Sequence, residues 1–284
     1  MLRLLIAPTT FEILPMQHGQ NPYIAVTDTT KVKAVAAEHN KLVHALTKPV
    51  VYTLPATRSH LPDIVFVANG GLALPRLEKP LILLPNMKFA QRKAELPFLR
   101  DMFAELGVAT MEYPGREPFE GQAELKWFDG GRKAVCGYGH RSTFKTFKEL
   151  DAFFKKLYGP KEAPELLVLE LTSADYYHLD VAMCEYDGRK CLVHKHSMSP
   201  TSIRRLKAFL GPANVTVIDT PDSFCLNAVI DGDHMITHRL TDPTLAPLFE
   251  RLTGRCLIQV PTMEFEKSGG SVRCMTLDLL GVSR

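Results

Sequence analysis

The sequence predicts an α/β fold in which small sheets close into a ring with helices on the outside. Three observations carry that expectation. A hairpin–helix–strand order recurs at a period of roughly 50 residues along the 284-residue chain, the mark of a repeat architecture. Asp-Gly pairs stand at the hairpin position in the later units, and most of the helical runs stop on a glycine. A single unit of this kind cannot bury its sheet face alone, so neighbouring units have to pack on one another.

Taken in order, the first unit has a strand over 2–7, a helix over 29–46 with apolar Val32, Val35, Ala36, Leu42 and Val43, and a strand over 50–54. The second has a strand over 64–68, the Gly70-Gly71 turn, a strand over 81–84, a helix over 89–106 ended by Gly107 and a strand over 108–113. The third pairs 124–128 with 133–137 across Asp129-Gly130-Gly131, then gives a helix over 144–157 stopped by Gly159-Pro160 and a strand over 166–171. The fourth repeats this closely: a strand over 179–185, Asp187-Gly188, a strand over 190–194, a helix over 200–210 ended by Gly211-Pro212, and a strand over 214–219. In the fifth, 225–230 and 235–237 flank Asp231-Gly232, followed by a helix over 243–252 ended by Gly254 and a strand over 256–260. The tail 270–279 adds one more strand, which carries Cys274. No linker or low-complexity tract divides the chain, so 1–284 reads as one domain.

Composition narrows the class. With 45% hydrophobic and 23% charged residues and a net charge of +3 spread over both signs, there is no basic stripe, and nucleic acid is not an expected partner. The opening apolar run meets Pro8 too early for a signal segment, and no run approaches the roughly 20 residues needed to span a bilayer, so no membrane association is expected. Six cysteines without a Cys-x-x-Cys pair read as reduced thiols of a cytoplasmic protein. Cys184, Cys191, Cys225 and Cys256 fit core packing. His194 and His196 alternate but lack a third ligand at suitable spacing, so no metal is expected there.

Three segments carry chemistry: Phe119-Glu120-Gly121, Tyr177-His178-Leu179-Asp180 and Gly269-Gly270-Ser271-Val272-Arg273-Cys274. A cysteine is nucleophilic as its thiolate, and a histidine beside a carboxylate can supply the proton transfers that covalent catalysis needs. On a strand, His178 and Asp180 would face the same side, as one pocket requires. Tyr176 and Tyr177 fit either a pocket wall or core packing.

The five-unit rhythm and the ordered motifs Phe-Glu-Gly, His-Leu-Asp and Gly-Gly-Ser-x-x-Cys resemble the guanidine-modifying, or pentein, superfamily over essentially the whole chain. That resemblance implies a five-bladed, pseudo-symmetric α/β propeller with its active site in the central channel and no cofactor. It implies Cys274 as the nucleophile on a guanidinium carbon, His178 as the acid and base, Glu120 as the residue that orients His178 or bonds the guanidinium, and Asp180 as the grip on its nitrogens. Asn69 stands where the family often has Asp, and Asn21 before Pro22 resembles an early Asn-Pro element of arginine dihydrolases. Arg92 and Arg141 match positions of carboxylate clamps, a task suited to the guanidinium fork.

Within the superfamily, Asp180 departs from the Lys usual in dimethylargininases, and the chain lacks room for the extra helical domain of arginine deiminases. Asn69 can donate to the oxygen of a neutral ureido group, where a carboxylate can only accept. The combination resembles an arginine dihydrolase acting on L-arginine, with deiminase, dimethylargininase and amidinotransferase chemistry as alternatives. A propeller that only binds a partner is the rival from another class.

Overall fold

A computed structural model gives the architecture and describes residues 1–14, 21–25, 27–54 and 60–282. In chain order, the first third contains β1 (Leu2–Ile6), α1 (Val32–Ala45), β2 (Pro49–Tyr52), β3 (Leu72–Ala73), β4 (Leu81–Leu83), α2 (Ala90–Lys93), α3 (Leu96–Glu105) and β5 (Ala109–Met111). The middle contains β6 (Leu125–Phe128), β7 (Lys133–Tyr138), α4 (Phe144–Tyr158), β8 (Glu165–Glu170), α5 (Leu179–Ala182), β9 (Met183–Tyr186), β10 (Lys190–His194), α6 (Pro200–Leu210) and β11 (Val215–Ile218). The last part contains β12 (Val229–Asp231), β13 (His234–His238), α7 (Leu245–Thr253), β14 (Cys256–Val260), α8 (Met263–Glu266) and β15 (Leu277–Leu279).

These strands make five three-stranded sheets. In each, the first strand runs antiparallel to the middle one, and the middle one is parallel to the third, reached through a helical crossover. The first sheet breaks the chain order: β15 supplies its antiparallel strand, with Leu277 opposite Leu4. The two ends of the described chain are therefore joined in one blade.

Ring closure follows from the packing. One apolar cluster joins the first and second sheets through Leu4, Val50, Leu277 and Ile82, another the second and third through Leu72, Leu83 and Ala134. The third and fourth share Phe128, Val135, Cys191 and Val215; the fourth and fifth share Leu192, Ile218 and Met235. Leu5, Val229, Ile236 and Val260 then connect the fifth sheet back to the first. β1 is buried throughout because its alternating side chains enter two of these clusters. Helices cover the outside, their starts fixed by local chemistry: Thr143 and Thr146 form a reciprocal cap on α4, and Ser199 caps α6 ahead of Pro200.

Five expected elements need correction. The run 64–68 is a turn leading into a 3-10 segment (Val67–Gly70), because Ile64 and Val67 enter one cluster while Val65 and Phe66 enter another; the strand is β3. The helix over 89–106 is broken into α2 and α3, since Pro97 lacks the N–H a continuous helix would need and sits in the first turn of α3. Residues 179–182 form the helical turn α5, with His178 at its N-cap, so His178 and Asp180 do not alternate along a strand. In the fifth unit the strand starts only at Val229. Cys274 lies on a turn, and only Leu277–Leu279 of the tail is strand. Cys256, expected in the core, is exposed at the start of the outer strand β14.

Four of these corrections, all but the broken helix, share one form. A compact buried turn precedes the first strand of a sheet, and a matching turn, Gly121–Ala123, precedes β6.

Candidate active site

Those turns converge on one pocket. Asn69 comes from the turn before β3, Glu120 from that before β6, His178 and Asp180 from that before β9, and Cys274 from that before β15. Asn21, Asn69, Arg92, Arg141, His178 and Cys274 line the pocket. Glu120 and Asp180 stand directly behind it, both fully buried, and reach it through His178 and Cys274.

Glu120 is the electrostatic centre. Its Oε2 accepts from His178 Nε2 at 2.8 Å and from Arg141 Nη1 at 3.1 Å, and its Oε1 accepts from the Lys88 backbone N–H at 3.1 Å. Burial alone would push this carboxyl up; Arg141, His178 and Arg92 outweigh it and hold the group well below the usual carboxylate range. The negative charge is thus fixed on Glu120. Glu124, whose carboxylate accepts from the Glu120 N–H, is pushed the other way by burial and by Glu120 itself, above the carboxylate range.

Because Glu120 is ionised, His178 presents Nε2–H to it, and the neutral ring carries its lone pair on Nδ1. Burial lowers the pKa of His178, partly countered by the Glu120 bond, which favours a neutral base at pH 7. Asn69 Nδ2 lies 3.4 Å from the same ring nitrogen, and its Oδ1 accepts from Arg92 Nη1 at 3.2 Å.

Cys274 Sγ lies 3.5 Å from Asp180 Oδ2. Burial raises the thiol's pKa first and Asp180 adds to it, while the Ser271 backbone and Asn227 work against them. The other carboxylate oxygen, Asp180 Oδ1, is buried with no hydrogen-bond partner among the described residues. An orphaned charged acceptor of this kind costs on the order of 1–3 kcal/mol or more and is satisfied by a ligand that donates.

The turn before Cys274 requires its glycines. Gly269 has φ +79, and a Cβ there would lie 2.4 Å from the Asn21 amide; at Gly270 it would lie 2.1 Å from the Phe66 ring. Asn21 Nδ2 donates to Ser268 O at 2.6 Å, its Oδ1 accepts from Tyr23 N at 3.0 Å, and Tyr177 Oη donates to Gly269 O. Asn21 therefore holds the wall of the pocket as well as lining it.

Arg92 gives its Nε and Nη2 to Glu95, and Arg141 lies between the rings of Tyr177 and Phe89, 4.7 Å and 5.0 Å from their centroids. Both guanidiniums are thus engaged by protein groups while lending positive charge to the pocket. Sequence reasoning missed Asp63 and Phe89, which also line it, Glu124, and Asn227 beneath Cys274. Elsewhere, His194 is buried against Tyr176 Oη, and His196 is paired with Asp219 at 3.1 Å. Among the described residues no group of three or more His, Cys, Asp and Glu side chains could hold a metal, and no helix is long and apolar enough to cross a membrane.

No protein-family model matches the chain. It is 26% identical over 260 residues, 90% of its length, to the bifunctional arginine dihydrolase/ornithine cyclodeaminase ArgZ of Synechocystis sp.. It is 26% identical over 270 residues, 91% of its length, to the N(G),N(G)-dimethylarginine dimethylaminohydrolase of Mycobacterium tuberculosis, covering 80% of that protein. The chain spans about a third of the length of the two bifunctional relatives, 35% and 32%. Among solved structures, the substrate-bound N-terminal domain of ArgZ superposes with a TM-score of 0.82 at 23% identity over 97% of both chains. A dimethylarginine dimethylaminohydrolase adduct with S-methyl-L-thiocitrulline gives 0.73 at 17% identity, over 97% of this chain and 98% of that one. The fold is the five-bladed α/β propeller of these proteins.

Proposed function

We propose that this chain, which has the fold of the guanidine-modifying superfamily and sequence similarity to its arginine dihydrolases, is a cysteine-dependent hydrolase of a guanidino substrate, L-arginine in the first place. The observation that carries the reading is the pairing of a buried thiol with a carboxylate that keeps one oxygen unpartnered, Asp180 Oδ1. A guanidinium answers both: its N–H groups satisfy the carboxylate, and its carbon is the electrophile. Its charge also offsets the Asp180 charge that, together with burial as the larger cause, keeps the thiol protonated, so the nucleophile forms when the substrate is in place.

The steps balance as follows. His178 takes the thiol proton, and Sγ bonds to the guanidinium carbon. The C–N bond to a terminal nitrogen breaks, and that nitrogen leaves as ammonia with the proton from His178. Water then gives a proton to His178 while its oxygen attacks the same carbon; the C–S bond breaks, His178 returns its proton to the sulfur, the remaining hydroxyl proton goes to the ammonia as ammonium, and neutral citrulline is formed. Glu120 holds the ring and stabilises the imidazolium. Arg92 and Arg141 give the pocket a positive wall suited to a substrate carboxylate.

Asn69 favours a second round. Its amide can donate to a neutral ureido oxygen, so citrulline can be attacked in turn, releasing a second ammonia and a carbamate that loses carbon dioxide to give ornithine. Incubation of the purified protein with arginine, with Cys274→Ala as control, tests this through ammonia, citrulline and ornithine. Ornithine with two ammonia per arginine is expected. Citrulline with one ammonia would make it a deiminase, and no reaction with arginine, methylarginines or agmatine would sink the catalytic reading.

A further inference from the structure

Four blades give the pocket a polar residue from the turn ahead of their first strand; the fifth has Asn227, between Leu226 and Ala228, in the corresponding place. Asn227 is fully buried and its amide is saturated. Oδ1 accepts from the backbone N–H of Arg273 at 2.9 Å and of Cys274 at 3.3 Å. Nδ2 donates to the Asp180 carbonyl oxygen at 3.0 Å and to Cys274 Sγ at 3.2 Å. The two backbone donors settle which end of the amide is oxygen, because a flipped amide would set N–H against N–H. An N–H therefore faces the sulfur.

We infer that Asn227 is a catalytic residue, the donor that stabilises the Cys274 thiolate, and that it ties the sulfur to Asp180 so that nucleophile and guanidinium grip keep one geometry. A charged acceptor gains roughly twice what a neutral one does from such a bond, so the N–H favours thiolate over thiol. It opposes Asp180, whose Oδ2 lies 3.5 Å from the same sulfur and favours the thiol. The inference deepens the hydrolase reading and rests on it for the chemistry, but the bond to sulfur can be tested without any substrate.

The test is the pH dependence of Cys274 alkylation by iodoacetamide, followed by peptide mass, in the native protein and in Asn227→Ala. Asp180, Tyr23 and Tyr177 act on the sulfur, and His178, Asp63, Arg92 and Arg141 share its pocket. All are the same in both proteins, so a difference reports Asn227. The midpoint is expected to rise by about one unit, and turnover, where the hydrolase reading holds, to fall about a hundredfold. An unchanged midpoint in a folded Asn227→Ala protein overturns the proposal whatever the substrate proves to be.

A second measurement needs no variant at 227. In protein labelled with 15N-asparagine, the Nδ2 protons of Asn227 should shift as pH is raised through the alkylation midpoint, and the shift should vanish in Cys274→Ser. A resonance indifferent to the ionisation of the sulfur has the same force against the proposal.

Discussion

At the scale of single residues, the site is a set of opposed charges centred on Glu120. Glu120 keeps its charge because Arg141 and His178 both bond to Oε2, and it spends that charge on orienting the imidazole. Glu120→Gln keeps the shape but weakens the hold on Nε2–H and the support for imidazolium. The expected result is a kcat lower by about 10²–10³ with little change in KM; a larger effect on KM than on kcat would assign Glu120 to substrate binding instead. Asn69 lies 3.4 Å from the same imidazole nitrogen, and here the predicted change is in products rather than rate. Asn69→Asp replaces the donor with a charge that accepts from a cation and repels a ureido oxygen. Product analysis should show citrulline accumulating at the expense of ornithine, and an unaltered ratio would remove Asn69 from the second step.

At the scale of elements, the stretches misread as strand lie on the turns that precede the sheets. Hairpins and helices were legible because their signals are local: Asp187-Gly188 turns the chain where β9 meets β10, and Pro200 with Ser199 starts α6 where expected. The turns were not, because an apolar run such as 64–68, which divides its side chains between two clusters, or 179–182, whose Leu179, Val181 and Ala182 all enter one, has the composition of a buried strand. The motif residues on these turns were found by type and order, and their juxtaposition came only from the fold. Asn227 carried no signal beyond being the one polar residue at its place in the fifth unit. His238 joins β13 to α8: it lies 2.9 Å from Asp222 Oδ1 and 3.0 Å from Glu266 Oε1, and Glu266 also accepts from Ser271 Oγ at 3.3 Å near the Cys274 turn. Burial would lower its pKa, but the two carboxylates raise it from 6.5 to about 9. Since the folded value exceeds the unfolded one, the stabilisation is complete below pH 6.5 and is lost as pH rises toward and past 9, an effect on the order of 3 kcal/mol. Urea unfolding at pH 6.5 and pH 9.5 should show a loss in the native protein that is largely absent in His238→Gln; equal losses in both would refute the assignment.

At the scale of the whole molecule, the pocket exists because a ring is closed. Each blade contributes a turn to the centre and shares a cluster with each neighbour, so no turn is positioned by its own blade alone. The repeated order of hairpin and crossover announced the ring, but the sequence reading left the tail strand unpaired, because pairing between β15 and β1 spans the length of the chain and has no local signature. That pairing has a functional consequence, since the turn bearing Cys274 leads directly into β15. Leu277 and Leu4, opposite each other in the closing pair, are both fully buried in the cluster shared with the second blade. Leu277→Ala is expected to cost about 2–5 kcal/mol. If the ring is one cooperative body, circular dichroism and the exposure of Cys274 to alkylation should change in a single transition, displaced together by the mutation. A Cys274 that becomes reactive well before the secondary structure melts would mean that the first blade opens by itself, and that the site is held by a latch rather than by the ring.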